Sequence, residues 1–171
     1  MLAERSDMDV KEDHEALNAQ LEAMEAALES EPDSEKRRKA LVCLVVRTLA
    51  PDLEMHLRKE EQVLFPALQK LLGGKSGTVD LLKEQHVKIR STIQWLAGLL
   101  CDCGCEEKSK EVDWKEIAAV GKGFVNLLKG HEKKEDQLLA DVLRASLKPQ
   151  ELMQLAQKLH RFTWEAFKEE L

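Results

Sequence analysis

The sequence repeats itself between residues 56–72, HLRKEEQVLFPALQKLL, and residues 131–147, HEKKEDQLLADVLRASL, which align without gaps. Each copy begins with a histidine that is followed four residues later by a glutamate, and these residues are His56, Glu60, His131 and Glu135. Residues four apart on an α-helix lie on one face, one turn along. The repeat therefore predicts two similar helices, each of which points an imidazole and a carboxylate in the same direction.

Apolar residues recur at alternating steps of three and four along most of the chain, which is typical of the seam of a helical bundle. The seam of the predicted second helix contains Leu49, Leu53, His56, Glu60, Leu64, Ala67 and Leu71. Trp95, Phe65 and Phe124 are also expected in the core. Pro51 lies inside the second helix and should kink it or split off its first part.

Turn-forming residues interrupt the seam at 32–34, 73–77, 101–110 and 147–149. We therefore predict an all-α fold, an antiparallel up-down four-helix bundle over about 7–147 with an additional C-terminal helix over about 149–170. Residues 1–171 are expected to form a single domain, because this length provides one core but hardly two.

Four histidines on the seam are expected at one height of the bundle, because residues equidistant from a turn lie level with each other. The midpoint of His14 and His56 falls at position 35, next to the first turn. The midpoint of His56 and His86 falls at 71, and that of His86 and His131 between 108 and 109, both close to turns. Four imidazoles should therefore converge on a single level.

The two seam glutamates make this level a predicted metal site, because a core-facing carboxylate is costly unless something pairs with it. Six ligands are too many for one tetrahedral ion, so we predict a dinuclear site. Mixed imidazole and carboxylate ligation suits iron, with manganese or zinc as alternatives. The predicted metal ligands are His14, His56, Glu60, His86, His131 and Glu135.

Composition argues against several other classes of protein. The net charge is −6, and Lys and Arg are scattered among acidic residues without a basic stripe, so no nucleic-acid partner is expected. No apolar run approaches the length of a membrane span, and the first 17 residues contain no apolar segment of a secretory signal. We therefore expect a cytoplasmic protein whose four cysteines are mostly reduced.

The sequence lacks the motifs of two other classes of metal site. Ferritin-like bundles use Glu-x-x-His, and zincins use His-Glu-x-x-His, and neither pattern occurs. The absence of tyrosine excludes tyrosyl-radical chemistry. Cys101, Cys103 and Cys105 form either a thiol cluster for a soft metal or redox sensing, or an inert exposed loop. His160 has a tryptophan at the fourth following position and is read as a structural or surface residue.

Taken together, the pattern H…H-x-x-x-E…H…H-x-x-x-E, with H-x-x-x-E-E-x-x-L-F-P at 56–66, resembles the hemerythrin-like, or HHE cation-binding, domain family. The resemblance covers about residues 7–147. It implies two iron ions, Fe2+ or Fe3+, joined by an oxo or hydroxo group, with Glu60 and Glu135 bridging. One ion would be bound by His14 and His56, the other by His86 and His131.

Two positions depart from the oxygen-carrying members that the sequence resembles. Arg90 stands where they have a further histidine, and Asp136 stands where they have an aspartate ligand, although Glu135 is the better match. One histidine fewer leaves more open coordination. Glu61, Asp136 and Arg90 either hold ligand imidazoles from outside or are solvated charges.

The resemblance implies a protein that binds or senses O2 or a related small molecule, such as peroxide or nitric oxide, or that handles iron. The alternative is a di-iron oxidoreductase that reduces peroxide or nitric oxide. A third reading, a metal-free scaffold with packed histidines, is disfavoured by the buried glutamates. Both leading hypotheses need a bound metal, so the sequence separates them poorly.

Overall fold

The computed structural model describes residues 6–30, 35–74, 76–101, 113–146 and 148–162. These residues form α1 (Ser6–Glu29), α2 (Glu35–Lys59), a π-helical segment (Glu60–Leu64), α3 (Phe65–Leu71), α4 (Gly77–Cys101), α5 (Trp114–Ser146) and α6 (Pro149–Arg161). No strand occurs in the described ranges, and the predicted all-α class is confirmed. None of the described helices is long and apolar enough to cross a membrane.

The bundle has four helical arms: α1; α2 with the π-helical segment and α3; α4; and α5. They close into a ring, because α1 packs on α2 and α5, and α4 packs on the same two helices. Their neighbours run antiparallel. Between α1 and α2, Lys59 donates to Asp13 at 2.5 Å and Gln20 donates to Asp52 at 2.7 Å, so positions rise along one helix as they fall along the other. This is the up-down arrangement that the turns predict.

Two apolar clusters fill the bundle, one on each side of a polar layer. Along α1, Val10 belongs to one cluster and Leu17 to the other, and His14 lies between them. Along α4, Leu82 and Ile89 flank His86 in the same way. The histidines that the sequence places at one height therefore occupy one layer of the core.

The second arm is interrupted by the π-helical segment rather than at Pro51, which lies inside the continuous helix α2. The backbone N–H of Phe65 donates to the carbonyl of Glu60, a five-residue bond that ends the segment. Pro66 follows at once; a proline has no N–H and its ring clashes with the carbonyl four residues earlier in a regular helix. The wider π turn relieves this conflict.

The π-helical segment changes which residues of the second arm face the core. Phe65 and Leu68 are buried after it, whereas the predicted seam residues Ala67 and Leu71 are only partly buried. A π turn contains one residue more than an α turn, so the apolar stripe resumes about one position later.

Trp95 is 55% exposed, so the expectation that it lies in the core is wrong. Its neighbour Leu96 occupies the seam, and consecutive residues of an α-helix point about 100° apart. Phe65 and Phe124 are buried, as expected.

The ends of the last arms are fixed by local hydrogen bonds. At the end of α3, the N–H groups of Gly73 and Gly74 donate to the carbonyls of Lys70 and Gln69, which is a Schellman motif with Gly73 at φ 80°. Helix α6 packs on α1 and on the π-helical segment, with one face buried in the same apolar cluster as Phe65. This packing closes the bundle on the side of the π turn.

Candidate metal centre

All six predicted ligands meet in the polar layer, and we call them the His/Glu cluster: His14, His56, Glu60, His86, His131 and Glu135. None is more than 4% exposed, and both glutamates are at 0%. Each arm of the bundle contributes at least one of them. Because the layer lies between two apolar clusters, its polar atoms are shielded from water on both sides.

The first group of candidate ligand atoms joins α1, α2, the π-helical segment and α5. It consists of His14, His56, Glu60 and Glu135, each offering one atom within 4.8 Å of all the others. The Nε2 atom of His56 lies 2.7 Å from Oε1 of Glu60, and Nε2 of His14 lies 3.4 Å from Oε2 of Glu135. Two imidazoles and two carboxylates thus face one point.

The second group joins the π-helical segment to α4 and α5. It consists of Glu60, His86 and His131. The Nε2 atom of His86 lies 2.9 Å from Oε2 of Glu60 and 3.1 Å from Nε2 of His131. The Nε2 atom of His131 lies 3.8 Å from Oε2 of Glu135. We call the two groups the first and the second metal position.

Glu60 belongs to both positions. Its Oε1 faces His56 and its Oε2 faces His86, so its carboxylate spans the gap between the two pairs of histidines. Oε2 of Glu135 is within 4 Å of His14 and His131, one histidine from each pair. Two carboxylates that each touch both pairs can hold two cations side by side.

The donor atoms fit a metal because their polar capacity is unused within the described part of the chain. Both oxygens of Glu60, both oxygens of Glu135 and Nε2 of His14 and of His56 are buried without a hydrogen bond. Nε2 of His56 and Oε1 of Glu60 are therefore only 2.7 Å apart but are not aligned for a hydrogen bond. Buried polar groups are normally paired, so inward-facing orphan donors of this kind are expected where a cation binds.

The outer nitrogens of His14 and His86 each contact a carboxylate. Asp136 Oδ1 lies 3.1 Å from Nδ1 of His14, and Glu61 Oε1 lies 2.7 Å from Nδ1 of His86. An acceptor at Nδ1 keeps the proton there and leaves Nε2 free for a metal. Glu61 and Asp136 thus contact imidazoles of the His/Glu cluster from outside.

The other two histidines have outer partners that the sequence argument missed. Gln85 Oε1 lies 3.3 Å from Nδ1 of His131. Asp13 Oδ2 lies 3.7 Å from Nδ1 of His56, a charge contact rather than a hydrogen bond. Gln85 and Asp13 each directly precede a cluster histidine but lie outside the 56–72 and 131–147 repeat, so no sequence signal identifies them.

Arg90 does not enter the cluster. Its guanidinium donates to both oxygens of Glu61, at 2.6 and 3.1 Å, and its Nε donates to Glu54 at 2.7 Å. It therefore acts on His86 only through Glu61. Asp136 is 46% exposed whereas Glu135 is at 0%, so the structure places Glu135, and not Asp136, in the cluster.

A further buried carboxylate, Glu132, escaped the sequence argument. It is 4% exposed and accepts a hydrogen bond from Asn18 at 2.9 Å, and burial raises its pKa. It follows His131 directly, contacts Asn18 on α1, and interacts electrostatically with His14 and His56. Nothing in the seam pattern distinguishes it from a surface glutamate.

The pKa values of the two cluster glutamates are shifted in opposite directions. Burial, together with the charge of Glu60, raises the pKa of Glu135 to about 8. Burial acts on Glu60 in the same direction, but the imidazoles around it, with His56 foremost, hold its pKa well below the usual range. Two like charges at one buried site cannot both ionise easily, so one carboxyl keeps its proton.

The histidines of the first position hold protons firmly without a metal. Burial alone would lower the pKa of His14, but contacts with Glu135 and Glu60 raise it to about 11. Burial is likewise outweighed at His56, where the charge of Glu60 and the contact with Asp13 raise the pKa to about 9. A metal that binds here must displace these protons.

The cysteine segment lies mostly outside the described residues. Cys101 ends α4, and Cys103 and Cys105 fall in the undescribed stretch that follows. Cys43 is a free, partly buried thiol on α2. His160 is exposed on α6, away from the layer, as expected.

Comparison with known families gave one result. The model of the hemerythrin HHE cation-binding domain matches residues 8–94 and, a second time, residues 77–169. The first match contains His14, His56 and His86, and the second contains His86 and His131, so the two matches follow the internal repeat. Neither the curated proteins nor the solved structures gave a match.

Proposed function

Because the chain belongs to the hemerythrin HHE cation-binding domain family, we propose that its His/Glu cluster binds two iron ions and through them binds or senses O2 or a related small molecule. One observation carries the proposal. Four carboxylate oxygens, fully buried and without hydrogen-bond donors among the described residues, lie between two pairs of inward-facing Nε2 atoms. Burying these polar atoms costs free energy unless they are paired, and bound cations would pair with them.

Each residue has a distinct task in this proposal. His14 and His56 hold one ion, His86 and His131 hold the other, and the two glutamates bridge. Glu60 is suited to bridging because its two oxygens face different histidine pairs. Mixed imidazole and carboxylate ligands suit iron. When bound, the iron pair supplies redox equivalents and open coordination positions.

The burial of the layer supports a small ligand. All six residues are at most 4% exposed, so only a small molecule can approach the cluster without unfolding the bundle. The apolar clusters on both sides exclude water and favour an apolar diatomic such as O2. Arg90 is engaged by Glu61 and Glu54 and adds no ligand, which leaves coordination open on the side of His86.

Reconstitution tests this proposal. We expect protein loaded with ferrous iron without oxygen to retain two iron ions per chain, and its absorption to change when O2 is admitted. A change that reverses on degassing supports binding, whereas irreversible oxidation with turnover of added peroxide or nitric oxide supports the oxidoreductase alternative. Retention of no iron, or of one ion per chain, would contradict the di-iron proposal.

A matched pair of variants tests the ligand assignment. His56→Ala should lose iron because it removes a donor 2.7 Å from Glu60. His160→Ala, an equal change on the exposed face of α6, should retain two ions. Loss of iron from His160→Ala alone would overturn the assignment.

A further inference from the structure

The outer partners of the four histidines follow the sequence repeat. Asp136 and Glu61, which contact His14 and His86, each directly follow a cluster glutamate in the opposite half of the chain. The half that supplies a histidine on its first helix therefore receives an outer carboxylate from the other half. The geometry behind the two metal positions is that of a pseudo-two-fold axis.

The remaining two partners obey the same symmetry. Asp13 lies beside His56, and Gln85 lies beside His131. Each directly precedes the first cluster histidine of its own half. All four outer contacts are thus related in pairs, and the pairs can be compared charge by charge.

Behind the first position the charge is negative. Asp13 and Asp136 are both carboxylates, and only Asp13 is paired with a cation, Lys59, at 2.5 Å. Among the described residues, His14 is the one basic group within ion-pair distance of Asp136. The charge of Asp136 therefore remains beside the imidazoles of this position, and the buried carboxyl of Glu132 also interacts electrostatically with His14 and His56.

Behind the second position the charge is neutral. Gln85 replaces the carboxylate of Asp13, and Glu61 is neutralised by a two-pronged contact with Arg90. Arg90 also contacts Glu54, and that carboxylate is in turn paired with Arg58 at 2.5 Å. The geometry of the repeat is kept, but the extra negative charge is absent.

We propose that this difference makes the two metal positions inequivalent, so that the first iron ion binds at His14 and His56 and is held there more tightly. The inference rests on the proposed function, because it concerns the same cluster. A carboxylate beside Nδ1 makes the imidazole a stronger donor, and a nearby negative charge attracts a cation. Outer contacts of this kind change metal affinity by about 10- to 100-fold.

Ordered isotopic loading tests the inference without any assay of activity. One equivalent of Mössbauer-active ferrous iron is added without oxygen, followed by one equivalent of the silent isotope, and the order is reversed in a second sample. Ordered binding predicts different quadrupole doublets in the two samples, each from one position. Identical spectra from the two orders would overturn the proposal.

Two nearly isosteric variants then test the cause. Asp136→Asn removes the extra charge at the first position, and Gln85→Glu adds a charge at the second. In each variant the preference of the first ion for the first position should fall about tenfold or more, so that both doublets appear in each sample. In the double variant the two positions should fill equally or in the inverted order. Unchanged spectra in all three would show that these charges do not set the order, and the proposal would fail.

Matched controls separate a local effect from a change in net charge. Glu84→Gln, on the exposed face of α4, alters the net charge as Asp136→Asn does, and Gln154→Glu on α6 matches Gln85→Glu. Neither control should change the doublets, and a change equal to that of its partner would contradict the proposal. A protein that binds no iron at all would instead refute the proposed function, so the two failures are distinguishable.

Discussion

Metal binding to the His/Glu cluster should release about three protons per chain at pH 7, as the pKa values of the metal-free site require. An ion binds neutral imidazole and ionised carboxylate, so each protonated ligand atom must lose its proton. The pKa is raised to about 11 at His14, to about 9 at His56 and to about 8 at Glu135. All three groups are therefore about nine-tenths or more protonated at pH 7. Burial would lower the pKa of His86, but its contacts with Glu60 and Glu61 raise it.

The sign of the pH dependence follows from this count. The metal-free protein holds more protons than the metal-bound protein, so affinity must rise with pH. Near pH 7, three released protons correspond to a rise of roughly a thousandfold per pH unit in the overall binding constant for two ions. The slope should decrease first near pH 8, where Glu135 ionises, and again near pH 9, where His56 loses its proton.

Calorimetry measures the proton count directly. Ferrous iron is titrated without oxygen in buffers of different ionisation enthalpy, and the slope of the observed heat against that enthalpy gives the protons released. Glu135→Gln should lower the count by about one. Glu84→Gln, a matched change on the exposed face of α4, should leave it unchanged. Two ions bound with release of fewer than about one proton would refute the assignment of protonated histidines.

Two further variants test the energetics of the layer. Replacing His14 and Glu135 together by leucine should stabilise the metal-free protein by about 1–4 kcal/mol in urea unfolding with chelator present, because apolar side chains replace a whole buried pair. The double variant should also lose iron, and destabilisation would contradict this account. Phe65→Ala should cost about 3–5 kcal/mol and weaken the second position, because the ring of Phe65 packs 5.0 Å from that of His86. Phe124→Ala, a matched change in the other apolar cluster, should cost as much in stability and leave iron binding at the second position intact, as an iron titration would show.

The bundle and the meeting of the His/Glu cluster could be predicted because both depend on spacing along the chain. The apolar residues of α1 that recur at steps of three and four between Val10 and Leu28 are buried, as their periodicity predicts. His14 and His56 meet because they are equidistant from a turn, a property that can be counted without coordinates. Even the choice of Glu135 over Asp136 follows from its position on the seam.

What could not be predicted depends on local conflicts and on neighbouring helices. The π turn comes directly before Pro66, whereas Pro51 lies inside a continuous helix. Periodicity alone does not decide which of the two prolines interrupts the helix. The large apolar side chain of Trp95 favours burial, but the neighbouring Leu96 occupies the seam and leaves Trp95 exposed. The outer partners Asp13 and Gln85 become visible only when α1 faces α2 and α4 faces α5.

The structure also indicates why a bundle can carry so unfavourable a layer. Two glutamates at 0% exposure would be better replaced by apolar residues if stability alone mattered. Their cost is confined to one layer, while apolar clusters fill the core on either side of it. Metal binding reverses the sign of that cost, since a ligand present at a thousand times its dissociation constant stabilises the folded state by about 4 kcal/mol. The same carboxylates that weaken the metal-free bundle should therefore make the metal-bound bundle the more stable of the two.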